Sequence, residues 1–189
     1  MKKLQSIVGC LVLCPIVLAL TSCASSKYNA GYHGMTMGYA GYSPYTDYGS
    51  RLPDKMNTGG RKMIYVNPNA HAWGAYDADG TLVKAGIATA GGEFCDDIGR
   101  ECRTNAGQFS ISSLGGPDCI SSKYPLPDGG GLMPYCMFFS NGQALHGSPD
   151  GAVVEANISH GCVRMRIPDA EWVRFNFASV GTRVVVEPY

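Results

Sequence analysis

Six consecutive residues, Ser159-His160-Gly161-Cys162-Val163-Arg164, and His146 sixteen positions before the cysteine hold the inventory of a cysteine acyl-transfer site. A thiol attacks as thiolate, and a nearby imidazole both takes its proton and stabilises the charge that forms. Gly161 frees the backbone beside the thiol, and the amides of Gly161 and Cys162 are candidates to meet the oxygen of a tetrahedral intermediate. Arg164 adds a cation two residues on. Each residue alone also has an ordinary reading: a cysteine in a β domain is commonly a small buried hydrophobe, and a histidine beside glycine a turn residue. A metal centre of His146, His160 and Cys162 is the remaining chemical reading. It lacks a carboxylate pair or a second histidine at helical spacing.

The elements that position these residues are mostly strands. Short β-type runs at 62–66, 70–77 and 81–89 come first, with Asp79-Gly80 a hairpin signal between the second and third. Runs at 108–112, 135–140, 143–146 and 182–187 follow, and Asn141-Gly142 joins two of them in a tight hairpin. His146 then sits at a strand end, and Cys162 lies on the next segment, so two meeting strand ends would bring them together. One helix is expected, with Pro168 early, Asp169 and Glu171 in its first turn, and Trp172, Val173 and Phe175 on its apolar stripe. The fold class is mainly β, a curved sheet or sandwich with one short helix near the C-terminus. The Gly/Pro-rich stretch 114–133 has no regular signal, and irregular segments of that length inside a domain often cover a site.

The N-terminus is an address. Lys2 and Lys3 precede an apolar run from Ile7 to Leu20, which is a secretory signal rather than a spanning helix. Leu20-Thr21-Ser22-Cys23 is similar to the lipobox of bacterial lipoproteins, which places cleavage after residue 22 and acylation on Cys23. By the same likeness, Ala24 points to sorting to the outer membrane, facing the periplasm. Multiple acyl chains anchor firmly where one binds only marginally. Residues 23–60 carry six tyrosines (Tyr28, Tyr32, Tyr39, Tyr42, Tyr45, Tyr48) among small polar residues and few aliphatic ones, and are expected to be a flexible tether. Residues 61–189 suffice for one domain with a core. Without the signal lysines, 13 basic and 15 acidic side chains remain, with no basic run, which argues against nucleic acid as a partner. Oligomeric state is not encoded in any pattern here.

Export changes how the cysteines are read. Cys10 and Cys14 leave with the signal and Cys23 carries lipid, so Cys95, Cys102, Cys119, Cys136 and Cys162 remain, an odd number. In an oxidising compartment that implies pairs and a leftover. Local loop closure favours Cys95–Cys102 and Cys119–Cys136, although four cysteines allow three pairings. Zinc is disfavoured, because the chain has no CxxC or CxxH spacing.

His146 with Ser159-His160-Gly161-Cys162-Val163-Arg164 resembles the signature of the YkuD-type L,D-transpeptidases. Arg103-Thr104-Asn105-Ala106-Gly107-Gln108-Phe109-Ser110-Ile111 is similar to the family's Thr-Pro-x-Gly-x-Phe-x-Ile strand, with Asn105 where proline is usual. The spacer of 12 residues between His146 and Ser159 is slightly short for the family, which would affect how His146 approaches the thiol. The four other cysteines are not part of the family's common core. The resemblance implies a β-sandwich-like domain acting on peptidoglycan stem peptides without metal or organic cofactor. By position, Cys162 would be the nucleophile, His146 the base, the Gly147 carbonyl its orienting group, and Gly161 and Cys162 the oxyanion amides. His160 would shape the site, Ser159 fix the turn, and Arg164 hold the motif or bind a substrate carboxylate. The expected reaction releases the terminal D-alanine of a tetrapeptide stem, leaving a thioester that an amine takes up; with water as acceptor it becomes an L,D-carboxypeptidase. An inactive wall-binding or adhesion lipoprotein of the same fold is the alternative from another class.

Overall fold

The computed structural model describes residues 38–189. The signal, the lipobox cysteine Cys23 and the first part of the expected tether lie outside the described residues. Nine strands form two mixed sheets. The first holds β1 (Met63–Asn67), β2 (Ala72–Tyr76), β3 (Leu82–Ile87), β4 (Gly107–Ser110) and β9 (Arg183–Val186), in the order β3-β2-β1-β9-β4. The second holds β5 (Ser113–Leu114), β6 (Met137–Ser140), β7 (Gln143–Ser148) and β8 (Val163–Arg166), in that order. Ile64, Val66, Trp73, Val184 and Val186 from the first sheet meet Met137, Phe139, Leu145, Val163 and Met165 from the second in the main core. The fold is thus mainly β, as the strand spacing predicts.

The alternation of side chains explains why β1 reads as an unbroken apolar run. Ile64 and Val66 face the main core, while Met63 and Tyr65 face a second cluster on the outer side of the sheet. A strand covered on both faces needs apolar residues at every position. The Asn141-Gly142 hairpin forms as expected: both residues have positive φ, 44° and 83°, and Ser140 pairs with Gln143. Positive φ at both central positions is the geometry that matches strand twist.

Part of the outer cover comes from a segment expected to be free. Tyr48 and Leu52 are buried in the second cluster beside Tyr65 and Tyr76. Arg51 bonds the Ala70 carbonyl at 3.1 Å and the Glu155 carboxylate at 2.9 Å, and Arg166 lies 3.6 Å from the centroid of the Tyr42 ring. Residues 41–56 are therefore a strap docked on the domain, not tether. Aromatic rings supplied the apolar area that the shortage of aliphatic residues seemed to deny.

The helix also departs from expectation. α1 covers Ile167–Trp172 and continues as a π-helical turn over Val173–Phe177, in which the Ala178 amide donates to the Val173 carbonyl five residues back at 2.7 Å. The wider winding turns Val173 and Phe177 into the core and leaves Phe175 59 % exposed. Phe175 thus lies off the buried stripe. β8 was not expected as a strand either, since its alternation, Val163-Arg164-Met165-Arg166, is only two repeats long.

Candidate active site

β7 and β8 run parallel with Leu145 opposite Val163 and His146 opposite Arg164. Leu145, Val163 and Met165 point into the core. With a side-chain period of two, His146 and Arg164 share the other face, and Cys162, two residues before Arg164, lies diagonal to His146 on that face. Strand register thus places imidazole and thiol on one face of the sheet.

His146 is 4 % exposed, with Nδ1 2.8 Å from the Gly147 carbonyl oxygen. A carbonyl has no proton to give, so Nδ1 carries the hydrogen and Nε2 keeps its lone pair. Gly147 allows close packing here, since a Cβ would lie 3.0 Å from the Ile167 backbone. Burial, with a smaller push from the Arg164 charge, drives the His146 pKa down to about 4 against the opposing Gly147 hydrogen bond. Burial raises the Cys162 thiol, against a hydrogen bond with the Ala144 backbone and the Arg164 charge. The resting pair is therefore neutral imidazole and neutral thiol. An imidazolium–thiolate resting pair is not what this pocket favours, because burial disfavours the charged form of both groups.

The turn that delivers Cys162 is held from several sides. Ser159 Oγ, in a buried residue, accepts from the Gly161 amide at 3.1 Å and donates to the Cys162 carbonyl. Gly161 has φ +116°, a backbone state that L side chains rarely adopt, and a Cβ there would lie 2.8 Å from Gln143 Nε2. The Gly161 amide, expected from sequence as an oxyanion donor, is thus engaged by Ser159. Gln143 receives the Asn105 amide at 2.9 Å and donates to the Arg103 carbonyl at 3.0 Å, tying the upstream motif to β7.

His160 sits apart from His146, half-buried at the rim. Its Nε2 is 2.7 Å from Asp97, and its ring stacks on Tyr124 with centroids 4.5 Å apart. These partners come from two loops closed by Cys95–Cys102 and Cys119–Cys136, and Cys162 is the free cysteine among the described residues. The 114–133 stretch is partly ordered by an Ile120–Leu132 bridge, and it carries Tyr124 to the site. Cys162 packs against the small cluster of Met133, Cys136 and Ala144. Beside His160 a groove of about 380 Å³ opens between Phe94, Asp97, Asn157 and Ile158. Asp97 and Tyr124 were missed from sequence, since nothing in a loop signals which distant side chain it will meet. Cys95, Asp97 and His160 bring potential ligand atoms within 4.8 Å of one another, but the Cys95 sulfur is bonded to Cys102 and offers no thiolate. His146 is not part of that group, so the trio His146, His160 and Cys162 is not assembled as a metal centre.

Two packed mixed sheets, with a histidine on one strand and a free cysteine just before the parallel strand beside it, define a class. The L,D-transpeptidase catalytic domain, YkuD, matches residues 61–186, and the chain belongs to that family. Among solved structures it is similar to the L,D-transpeptidase of Xylanimonas cellulosilytica (residues 123–326), with 24 % identity, TM-score 0.59, and coverage of 71 % of this chain and 64 % of that one. An L,D-transpeptidase of Stackebrandtia nassauensis gives 21 % identity, TM-score 0.57 and coverage of 75 % and 64 %. L,D-transpeptidase 3 of Mycobacterium tuberculosis, in complex with a faropenem-derived adduct, gives 22 %, 0.55, and 67 % and 60 %. The chain thus spans under two thirds of the length of these structures. No curated protein matches it.

Proposed function

We propose that the protein is a peptidoglycan L,D-transpeptidase that works through a thioester on Cys162. The observation that carries this reading is the β7–β8 register, with a neutral His146 whose Nε2 is unprotonated on the same face as a free thiol. His146 Nε2 takes the thiol proton as Sγ bonds the carbonyl carbon of the stem's diamino acid. The Cys162 amide meets the oxyanion. The C–N bond to the terminal D-alanine breaks, and His146 returns the proton to the departing amine. An acceptor amine then attacks the thioester, its proton passes to His146, and the C–S bond breaks to release the cross-linked or protein-attached product. Arg164 supplies positive charge for a substrate carboxylate or for the thiolate as it forms. With water in place of the amine, the same residues perform carboxypeptidase chemistry.

Export and lipid anchoring through Cys23 belong to the same reading. Two disulfides next to a free thiol suit an oxidising compartment, and the wall is where stem peptides lie. Tetrapeptide-stem muropeptides incubated with the protein are expected to release D-alanine, and Cys162→Ala to release none. Product masses with and without an added amine separate transpeptidase from carboxypeptidase. Mass spectrometry after faropenem is expected to find one adduct, on Cys162. Neither D-alanine release nor an adduct would sink the enzyme in favour of an inactive wall-binding module.

A further inference from the structure

We infer that Thr104 is a positioning residue that aims the oxyanion-binding amide of Cys162; this rests on the acyl-transfer reading above. Thr104 is buried, and its hydroxyl occupies a fixed place in a short relay. Its Oγ1 accepts from the Gly91 amide at 2.9 Å and donates to the Gly161 carbonyl at 2.9 Å. The Gly91 donor leaves the hydroxyl hydrogen no better acceptor than Gly161, so the direction of the relay is set.

The consequence follows from the planarity of the peptide. The Gly161 carbonyl and the Cys162 amide belong to one trans unit, and in a trans unit C=O and N–H point in opposite directions. Holding the carbonyl towards Thr104 therefore holds the Cys162 N–H away from it. Glycine at 161, with φ +116°, has no side chain to fix that plane, so an external clamp is required. Ser159 fixes the two flanking units, through the Gly161 amide and the Cys162 carbonyl. Thr104 is the contact that fixes the unit between them.

Thr104 is itself braced. Its amide donates to the Tyr189 hydroxyl at 2.8 Å, and that hydroxyl donates to the Gly91 carbonyl at 2.7 Å. Arg103 stacks over the Tyr189 ring at 5.2 Å and bonds its backbone carbonyl. The relay from Tyr189 through Thr104 reaches the reacting centre without touching His146 or the sulfur.

The test separates oxyanion chemistry from thiol chemistry. Acylation of Cys162 by p-nitrophenyl acetate forms an S–C bond, passes through an oxyanion and expels nitrophenolate. Alkylation by iodoacetamide displaces iodide and passes through none. In the full-length protein, Thr104→Val is expected to lower kcat for D-alanine release and the acylation rate by roughly 10- to 100-fold, a fraction of the effect of deleting an oxyanion donor. KM and the alkylation rate should change by less than about twofold, and Thr104→Ser, which restores the hydroxyl, should recover most of the loss. If Thr104→Val does not fold, Tyr189→Phe is expected to give a loss of about three- to tenfold with the same split. Equal losses in acylation and alkylation, a loss confined to KM, or no loss would overturn the assignment. Wild type that acylates with the ester but releases no D-alanine would reject the stem substrate and leave Thr104 still judged by the ester. Wild type inert to the ester would reject both.

Discussion

The two imidazoles of the motif occupy opposite kinds of ground. His146 lies on a central strand pair, buried, its tautomer fixed by the Gly147 carbonyl and its pKa held near 4. His160 lies on a turn at the rim, paired with Asp97 and stacked on Tyr124, side chains supplied by two disulfide-closed loops. The proposed reaction needs a base with a free lone pair at a fixed place, which His146 offers through its Gly147 hydrogen bond. The rim histidine instead ties two loops over the mouth of the site. On the proposed reading, the site divides into a strand layer for the bond-making and a disulfide-stapled loop layer for what enters.

That division is open to attack, beginning with the base. His146→Gln is expected to reduce D-alanine release by on the order of 10²–10⁴-fold, while His160→Ala reduces it by about tenfold or less, with the change mainly in KM. Comparable kcat losses in the two variants would erase the distinction. Acid should next expose the buried ring. Unfolded His146 takes up a proton below its ordinary value of 6.5, whereas the native ring resists until about pH 4. Stability is therefore lost as pH falls through that window, by roughly 3 kcal/mol over its full width. Urea denaturation at pH 7 and pH 4.5 checks this, and the His146→Gln protein should have a flatter profile.

The staples come third. Replacing Cys119 and Cys136 by serine is expected to remove about 3 kcal/mol and replacing Cys95 and Cys102 about 2 kcal/mol, from loops with separations of 17 and 7 residues. Both should raise KM more than they lower kcat. The smallest effect is expected from Asp97→Asn: a partly exposed hydrogen bond between His160 and Asp97 contributes about 1 kcal/mol, so KM should rise by under tenfold with kcat unchanged.

Much of this was legible in the residues. Alternating runs gave the strands, Asn141-Gly142 gave the hairpin that sets up β7, and loop closure favoured the disulfide pairing that is found. What escaped depends on non-local contact. Tyr42, Tyr48 and Leu52 read as tether because a segment's own composition does not say whether a neighbouring sheet face is bare. The turn after Trp172 switches to π winding to fit Val173 and Phe177 into a core built by other strands. The neutrality of His146 required knowing that the packed sheets would bury its ring, with Arg164 as cross-strand neighbour adding a smaller push.

The parallel pairing of β7 with β8 also sets where the chain can change length. In the proposed mechanism the reacting groups are aligned by the registration of two strands, so the connection between them is a free variable wherever it is not packed. Gly151, solvent-facing with open space where a side chain would project, is such a point, and inserted residues there would leave the reacting groups in place. One residue added between Cys162 and Val163 would instead reverse the alternation and turn the sulfur towards the hydrophobic interior. The same stretch of chain thus holds a position suited to grafting a tag and one where a single-codon insertion should silence the protein.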